Sequence, residues 1–153
     1  MTEKDIYFMK KTIDVAKKAL KYDEVPIGAI VVCDDKIVAT GYNKKNKTKN
    51  PLDHAEIIAL RRASKKFGDW RLNSCILYST LEPCIMCAGA IIHYRIRRVV
   101  FGVPEPKFGG VISNDRIFDL TTLNHKVEYE YGLFEDEIKQ MMRSFFLKLR
   151  GKF

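Results

Sequence analysis

Pro83-Cys84-Ile85-Met86-Cys87, taken with His54-Ala55-Glu56 earlier in the chain, decides how the rest of this sequence is read. Two cysteines separated by two residues, just past a proline, turn onto one side of a helix's first turn and can grip a single ion. His54 is the third ligand. Three protein ligands leave one tetrahedral position open for water, which marks a catalytic zinc rather than a structural one. Glu56, two residues beyond the histidine, is placed to handle that water's protons, so the two stretches read as a set of roles. Each piece alone is common, since Cys-x-x-Cys by itself is a redox pair or half of a structural zinc site. No second Cys-x-x-Cys completes a four-cysteine knuckle. The joint pattern favours catalysis.

Outward from these stretches, the apolar spacing of Ile57, Ile58, Leu60 and Ala63 predicts a helix that starts at His54 and that Gly68 ends. Ile76 to Thr80 reads as a strand. Leu81-Glu82-Pro83 turns from it into a second helix running from Cys84 to about Tyr94, with the proline in its opening turn. Both cysteines then feel the positive end of a helix dipole, which favours thiolates. Towards the N-terminus, Ile6, Met9, Ile13, Ala16 and Leu20 give the apolar face of an amphipathic helix, with Thr2 and Asp5 forming a partial capping box. Ala29 to Cys33 and Lys36 to Tyr42 are strands joined through Asp34-Asp35 as a hairpin. Towards the C-terminus, Arg98 to Phe101 is a strand, and 102–125 is irregular because of Pro104, Pro106, Gly109 and Gly110. Val127 to Tyr131 is a fifth strand. Glu135 to Leu149 is a closing helix whose apolar face holds Ile138, Met141, Met142 and Phe145.

A chain of 153 residues is one domain's worth, here 1–153. It has no apolar run long enough for a signal peptide or a membrane span, so a cytoplasmic protein without a membrane partner is expected. Its four cysteines should then be reduced, with Cys33 and Cys75 as small buried hydrophobes and no disulfide framework. The net charge of +8 points to a polyanionic partner, nucleic acid first. Lys44, Lys45, Lys47 and Lys49 lie in a loop without acids, either solvated or in contact with phosphate. Beyond Ile138 every charged residue is basic. Lys139, Arg143, Lys148, Arg150 and Lys152, interleaved with Phe145, Phe146 and Phe153, either clamp RNA or simply balance a core-packing helix at its negative end.

With these residues in view, the chain resembles the bacterial tRNA-specific adenosine deaminases of the zinc-dependent cytidine/deoxycytidylate deaminase superfamily. The resemblance runs through Val25-Pro26-Ile27-Gly28-Ala29, Gly41-Tyr42-Asn43, His54-Ala55-Glu56-Ile57, Arg71-Leu72 and Leu81 to His93. It continues through Arg98-Val99-Val100-Phe101-Gly102, Asn124-His125 and Phe145-Phe146. It implies an α/β, three-layer α/β/α fold with a mixed five-stranded sheet, a homodimer, and conversion of adenosine to inosine at the wobble position of an arginine tRNA anticodon. It also implies that His54, Cys84 and Cys87 bind zinc, that Glu56 shuttles protons, and that Asn43 contacts the flipped purine in a pocket lined by Val25 and Ile27. Lys107, Arg143, Phe145 and Phe146 match positions near the RNA. The chain departs from the family pattern at Glu105, where an aspartate is usual, at Val111-Ile112, where small residues are usual, and at Tyr94.

Two rivals remain. A zinc deaminase of a free base or nucleotide, guanine or cytosine, shares both motifs, but such a substrate needs no basic loop and no basic terminal helix. A catalytically dead RNA-binding module would keep zinc for its fold, yet it has no use for an unligated carboxylate at Glu56.

Overall fold

A computed structural model describes residues 1–151; Lys152 and Phe153 lie outside the described residues. Five strands form one mixed sheet in the order β2-β1-β3-β4-β5. They are β1 (Gly28–Cys33), β2 (Lys36–Tyr42), β3 (Cys75–Leu81), β4 (Arg98–Val103) and β5 (Glu128–Tyr131). β1 runs antiparallel to both β2 and β3, whereas β3, β4 and β5 are parallel. The β1–β2 hairpin turns on Asp34 and Asp35, both at positive φ (50° and 59°), the backbone that matches strand twist in a two-residue turn.

Helices cover both faces, so side chains alternate between two apolar layers. Ala29 and Val31 of β1 face α3 (Ala55–Phe67) and α4 (Ile85–His93), whereas Ile30 and Val32 face α1 (Glu3–Lys17). Ile138 of α5 (Glu135–Gly151) packs with Ile13 and Val103. This is the three-layer α/β/α arrangement that the resemblance implies. No helix among the described residues is long and apolar enough to cross a membrane.

α1 is rotated from the face its apolar spacing suggests. Ile6 and Leu20 are exposed, while Asp5, Phe8, Met9, Thr12, Ile13 and Ala16 are buried. The cause is Asp5. Its backbone N–H and carboxylate complete a capping box with Thr2, and the same carboxylate reaches into the sheet. There it accepts from Arg98 Nη1 and Nη2 at 2.9 and 2.8 Å and from the Tyr78 hydroxyl at 2.6 Å. Thr12 satisfies its own buried hydroxyl by donating to the Phe8 carbonyl at 2.7 Å.

Two glycines set how closely the layers approach. A Cβ on Gly28 would stand 2.5 Å from the Ala16 nitrogen and 2.6 Å from the Thr12 oxygen, both backbone atoms of α1. On the opposite face, a Cβ on Gly41 would meet the Ala55 oxygen at 2.5 Å, just where α3 begins. Neither helix can yield without its backbone moving. Gly28→Ala is therefore expected to cost about 2–3 kcal/mol of stability, read as a lower urea midpoint at unchanged slope.

The cysteine expectation needs correction. Cys33 and Cys75 are buried in apolar strands, as expected, but they form a disulfide. They are direct partners in the antiparallel β1–β3 register, with Cα atoms 4.5 Å apart, a separation that two strands impose and that a disulfide accommodates. The 43–50 loop also differs, since it contains a short helix, α2 (Lys45–Thr48). β4 continues to Val103, and a 3-10 turn at Ile117–Asp119 interrupts the otherwise irregular segment after it.

Candidate active site and metal centre

β3 ends at Leu81, and the chain turns through Glu82 and Pro83 so that Cys84 becomes the N-cap residue of α4. Pro83 therefore precedes the cap instead of lying in the first helical turn. His54 is likewise the N-cap residue of α3, with extended backbone (φ −74°, ψ 154°). Neither side chain caps its own helix. Both point across to each other, with two helix N-termini behind them.

His54, Cys84 and Cys87 are the one group of candidate metal ligands among the described residues, with ligand atoms all within 4.8 Å. His54 Nδ1 lies 3.6 Å from Cys84 Sγ and 3.5 Å from Cys87 Sγ. Zinc bonds of about 2.3 Å to sulfur and about 2.0–2.1 Å to nitrogen at tetrahedral angles would separate S and N by about 3.5 Å. The donor set fits the ion. Its protons point the same way: hydrogen bonds from Cys87 and His54 outweigh burial and draw the Cys84 thiol down to about 4. The hydrogen bond to Cys84, together with burial, pushes Cys87 up, and the hydrogen bond to Cys84 raises His54. Three crowded donors share protons that a cation would displace.

Glu56, in the first turn of α3, is 4% exposed and stands beside Cys87. Burial pushes its carboxyl up to about 7, a value at which it can both take and give a proton.

Above this floor lies a cavity of about 550 Å³, roomy enough for a nucleobase with its sugar. Val25, Ile27, Asn43, His54, Glu56, Cys84 and Phe146 line it, with Leu81, Phe108 and Met142 adding apolar wall. Asn43 accepts the Lys45 N–H at its Oδ1, which leaves the NH2 end for a ligand. The structure does not bring the other expected residues to this cavity. Phe145 is buried with its ring edge against Phe146, Arg143 is exposed on α5, and Lys107 is exposed beside the rim residue Phe108.

Two further residues shape the cavity and escape sequence reasoning. Glu82 is 3% exposed, and its carboxylate accepts the N–H groups of Glu105, Val111, Ile112 and Ser113 as well as the Ser113 hydroxyl. Burial raises its pKa, but these donors outweigh burial and hold it below the usual carboxylate range. Glu24, fully buried, accepts the N–H groups of Asn46 and Lys47 at 3.1 and 2.7 Å, at the start of α2. Each carboxylate thus hangs one wall of the cavity from inside the protein. The only sequence signal is adjacency, Glu24 to Val25 and Glu82 to Pro83, because a buried charge has no periodicity.

Residues 2–150 match the MafB19-like deaminase family. The chain is similar to the tRNA-specific adenosine deaminase of Aquifex aeolicus (strain VF5), with 42% identity over 145 residues that span 95% of this chain and 95% of that protein. A solved structure from biochemical and structural studies of A-to-I editing by tRNA:A34 deaminases at the wobble position superposes with a TM-score of 0.85. It is 40% identical and covers 88% of this chain and 98% of its own. The X-ray structure of guanine deaminase from Bacillus subtilis is more distant, with a TM-score of 0.65 and 30% identity over 94% of this chain and 95% of that one. A match that runs the length of the chain at these identities supports one assignment: the chain belongs to the tRNA-specific adenosine deaminases, within the MafB19-like deaminase family.

Proposed function

We propose that this protein converts adenosine to inosine at the wobble position of an arginine tRNA anticodon, with a zinc ion held by His54, Cys84 and Cys87. The observation that carries the proposal is the convergence of these three donors beside a buried, proton-competent Glu56 at the floor of a nucleoside-sized cavity. The homodimer and the cytoplasmic setting belong to the same proposal.

When bound, zinc supplies Lewis acidity that makes water a competent nucleophile near neutral pH. The protein's own groups do the rest. Val25 and Ile27 hold the purine ring by apolar contact, and the Asn43 NH2 donates to a ring acceptor. Glu56 removes a proton from the attacking water and delivers it to N1 as the oxygen adds to C6. It then moves the second proton to the departing amine, so ammonia leaves and inosine remains. Adenosine and water are consumed in equal number, and the carboxylate is restored. Because an anticodon-loop base is already unpaired, extruding it costs little, and the basic surface supplies affinity.

Unmodified arginine tRNA, a tRNA without a wobble adenosine, and free adenosine, each incubated with zinc-loaded protein, test the proposal. Inosine is expected in the first alone, with a rate that falls steeply as salt rises. No inosine in any of them, with turnover of guanine or cytosine instead, would transfer the assignment to a free-base deaminase.

A further inference from the structure

α3 carries its catalytic residues on one side and a different chemistry on another. Ala55, Ala59 and Ala63 pack into the core beneath the sheet, whereas Arg61, Arg62 and Lys65, each three or four residues from the buried Ile58 or from one another along the helix, line a second side above it. This side, with Lys44, Thr48 and Asp53, bounds a second concavity of about 320 Å³ that is separate from the catalytic cavity.

The balance of charge in that concavity is uneven. Lys44, Arg61, Arg62 and Lys65 line it against one carboxylate, Asp53, so four positive charges less one negative leave +3. Asp53 is already engaged by Arg61 at 3.3 Å. Arg62 is fixed in place, donating from Nη1 to the Thr40 carbonyl of the edge strand β2 at 2.9 Å. Burial, then the Arg62 and Lys47 cations, lower the Lys44 ammonium below its usual range, as crowding of like charges requires. Cations held together in a concavity concentrate anions there.

The surroundings suit a strand rather than a lone ion. Lys44 Nζ sits 4.7 Å over the Tyr42 ring and Lys47 Nζ 3.9 Å over the Tyr22 ring, and the two rings stack at 6.2 Å. Basic groups interleaved with stacked aromatics form the track that single-stranded nucleic acid follows. The concavity also joins the catalytic site through the chain itself, since Lys44 follows Asn43 and Asp53 precedes His54. Arg61 stands seven residues from His54, about 10 Å along the α3 axis, beyond the reach of the extruded base but within reach of neighbouring nucleotides.

We propose that this basic concavity is a seat for a backbone phosphate of the substrate RNA, flanking the target nucleotide. The inference rests on the tRNA reading above and adds to it a place where the strand is gripped.

Its test is the salt dependence of binding. Labelled arginine tRNA is titrated into the wild type, into Arg62→Gln/Lys65→Gln, and into Lys36→Gln/Arg97→Gln. The last pair is exposed at the end of the sheet away from the catalytic cavity and controls for lost net charge. In the seat variant, Kd is expected to weaken about fivefold at 0.1 M salt, and the slope of log Kd against log salt to flatten by about one. The control should bind like the wild type. At saturating tRNA and low salt the seat variant should keep the wild-type kcat, which also reports an intact fold. A seat variant with the control's affinity and slope would overturn the proposal. So would a seat that binds inorganic phosphate in the wild type, loses it in the variant, and leaves tRNA binding unmoved. Binding and inosine formation are read separately. A seat-dependent slope without inosine would sink the deaminase reading and keep the seat.

Discussion

Glu56→Gln is expected to slow inosine formation by about 10²- to 10⁴-fold while the protein still binds one zinc per chain. Glutamine has nearly the volume of glutamate and fills the same buried position at 4% exposure, so the cavity floor stays packed. What it lacks is the ability to accept a proton from water and return it. His54, Cys84 and Cys87 are untouched, and their mutual spacing does not depend on the carboxylate. Single-turnover kinetics on arginine tRNA, beside metal analysis of the same sample, read both quantities. Near-wild-type turnover with zinc in place would remove Glu56 from the proton path. The wild-type pH profile offers a second reading. The base form is needed for attack, so the rate falls as pH drops through the pKa of Glu56. Burial, only partly offset by the neighbouring His54 and Cys87, holds that value up at about 7, and a bound dication pulls it lower, so the acid limb is expected below neutrality and absent from the variant.

Asp5→Ala should be the most damaging substitution remote from the site, with a loss of about 3–5 kcal/mol in urea unfolding at neutral pH. Asp5 is 1% exposed, and Arg98, whose side chain is 15% exposed, spends two N–H groups on it. Alanine would remove the buried partner of that guanidinium, leaving it only the more exposed Glu130, and would strand the Tyr78 hydroxyl and the Thr2 amide. Stability also acquires a pH signature. Burial raises the pKa of Asp5, but the hydrogen bonds from Arg98, Tyr78 and Thr2 outweigh it and hold the group well below the usual carboxylate range. A depressed folded-state pKa gives stability that is present above the unfolded value, about 3.9, and is lost as pH falls below it towards the folded value. The wild type should therefore lose stability below about pH 4 more steeply than Asp5→Ala. Parallel losses in the two proteins would show that the pair contributes nothing to acid sensitivity.

The fate of Asp5 also marks where the sequence stops being legible. Thr2 and Asp5 read as a cap because both partners lie within one turn. The same carboxylate's bonds to Tyr78 and Arg98 span 73 and 93 residues, and nothing local announces them. The metal trio lies at the readable extreme. Cys84 and Cys87 share a helical turn, and His54 and Glu56 share another, so only the meeting of two helix starts had to come from the fold. Cys33 and Cys75 are intermediate, since each reads as a buried strand residue, yet their pairing depends on the β1–β3 register, which apolar runs on both strands do not encode. Phe145 and Phe146 show the limit of a motif, since adjacent residues on a helix diverge, one into the core and the other to the cavity.

Glu24 and Glu82 divide labour within the cavity walls. Apart from the Ser113 hydroxyl, both grip main-chain amides, a group that every residue except proline possesses. The side chains of Asn46, Lys47, Glu105 and Ile112 therefore carry little of the burden of holding those walls in place. Shape and recognition are separable here. The walls keep their course from two fixed internal anchors, while the chemistry they display to an incoming nucleotide can be rewritten one side chain at a time.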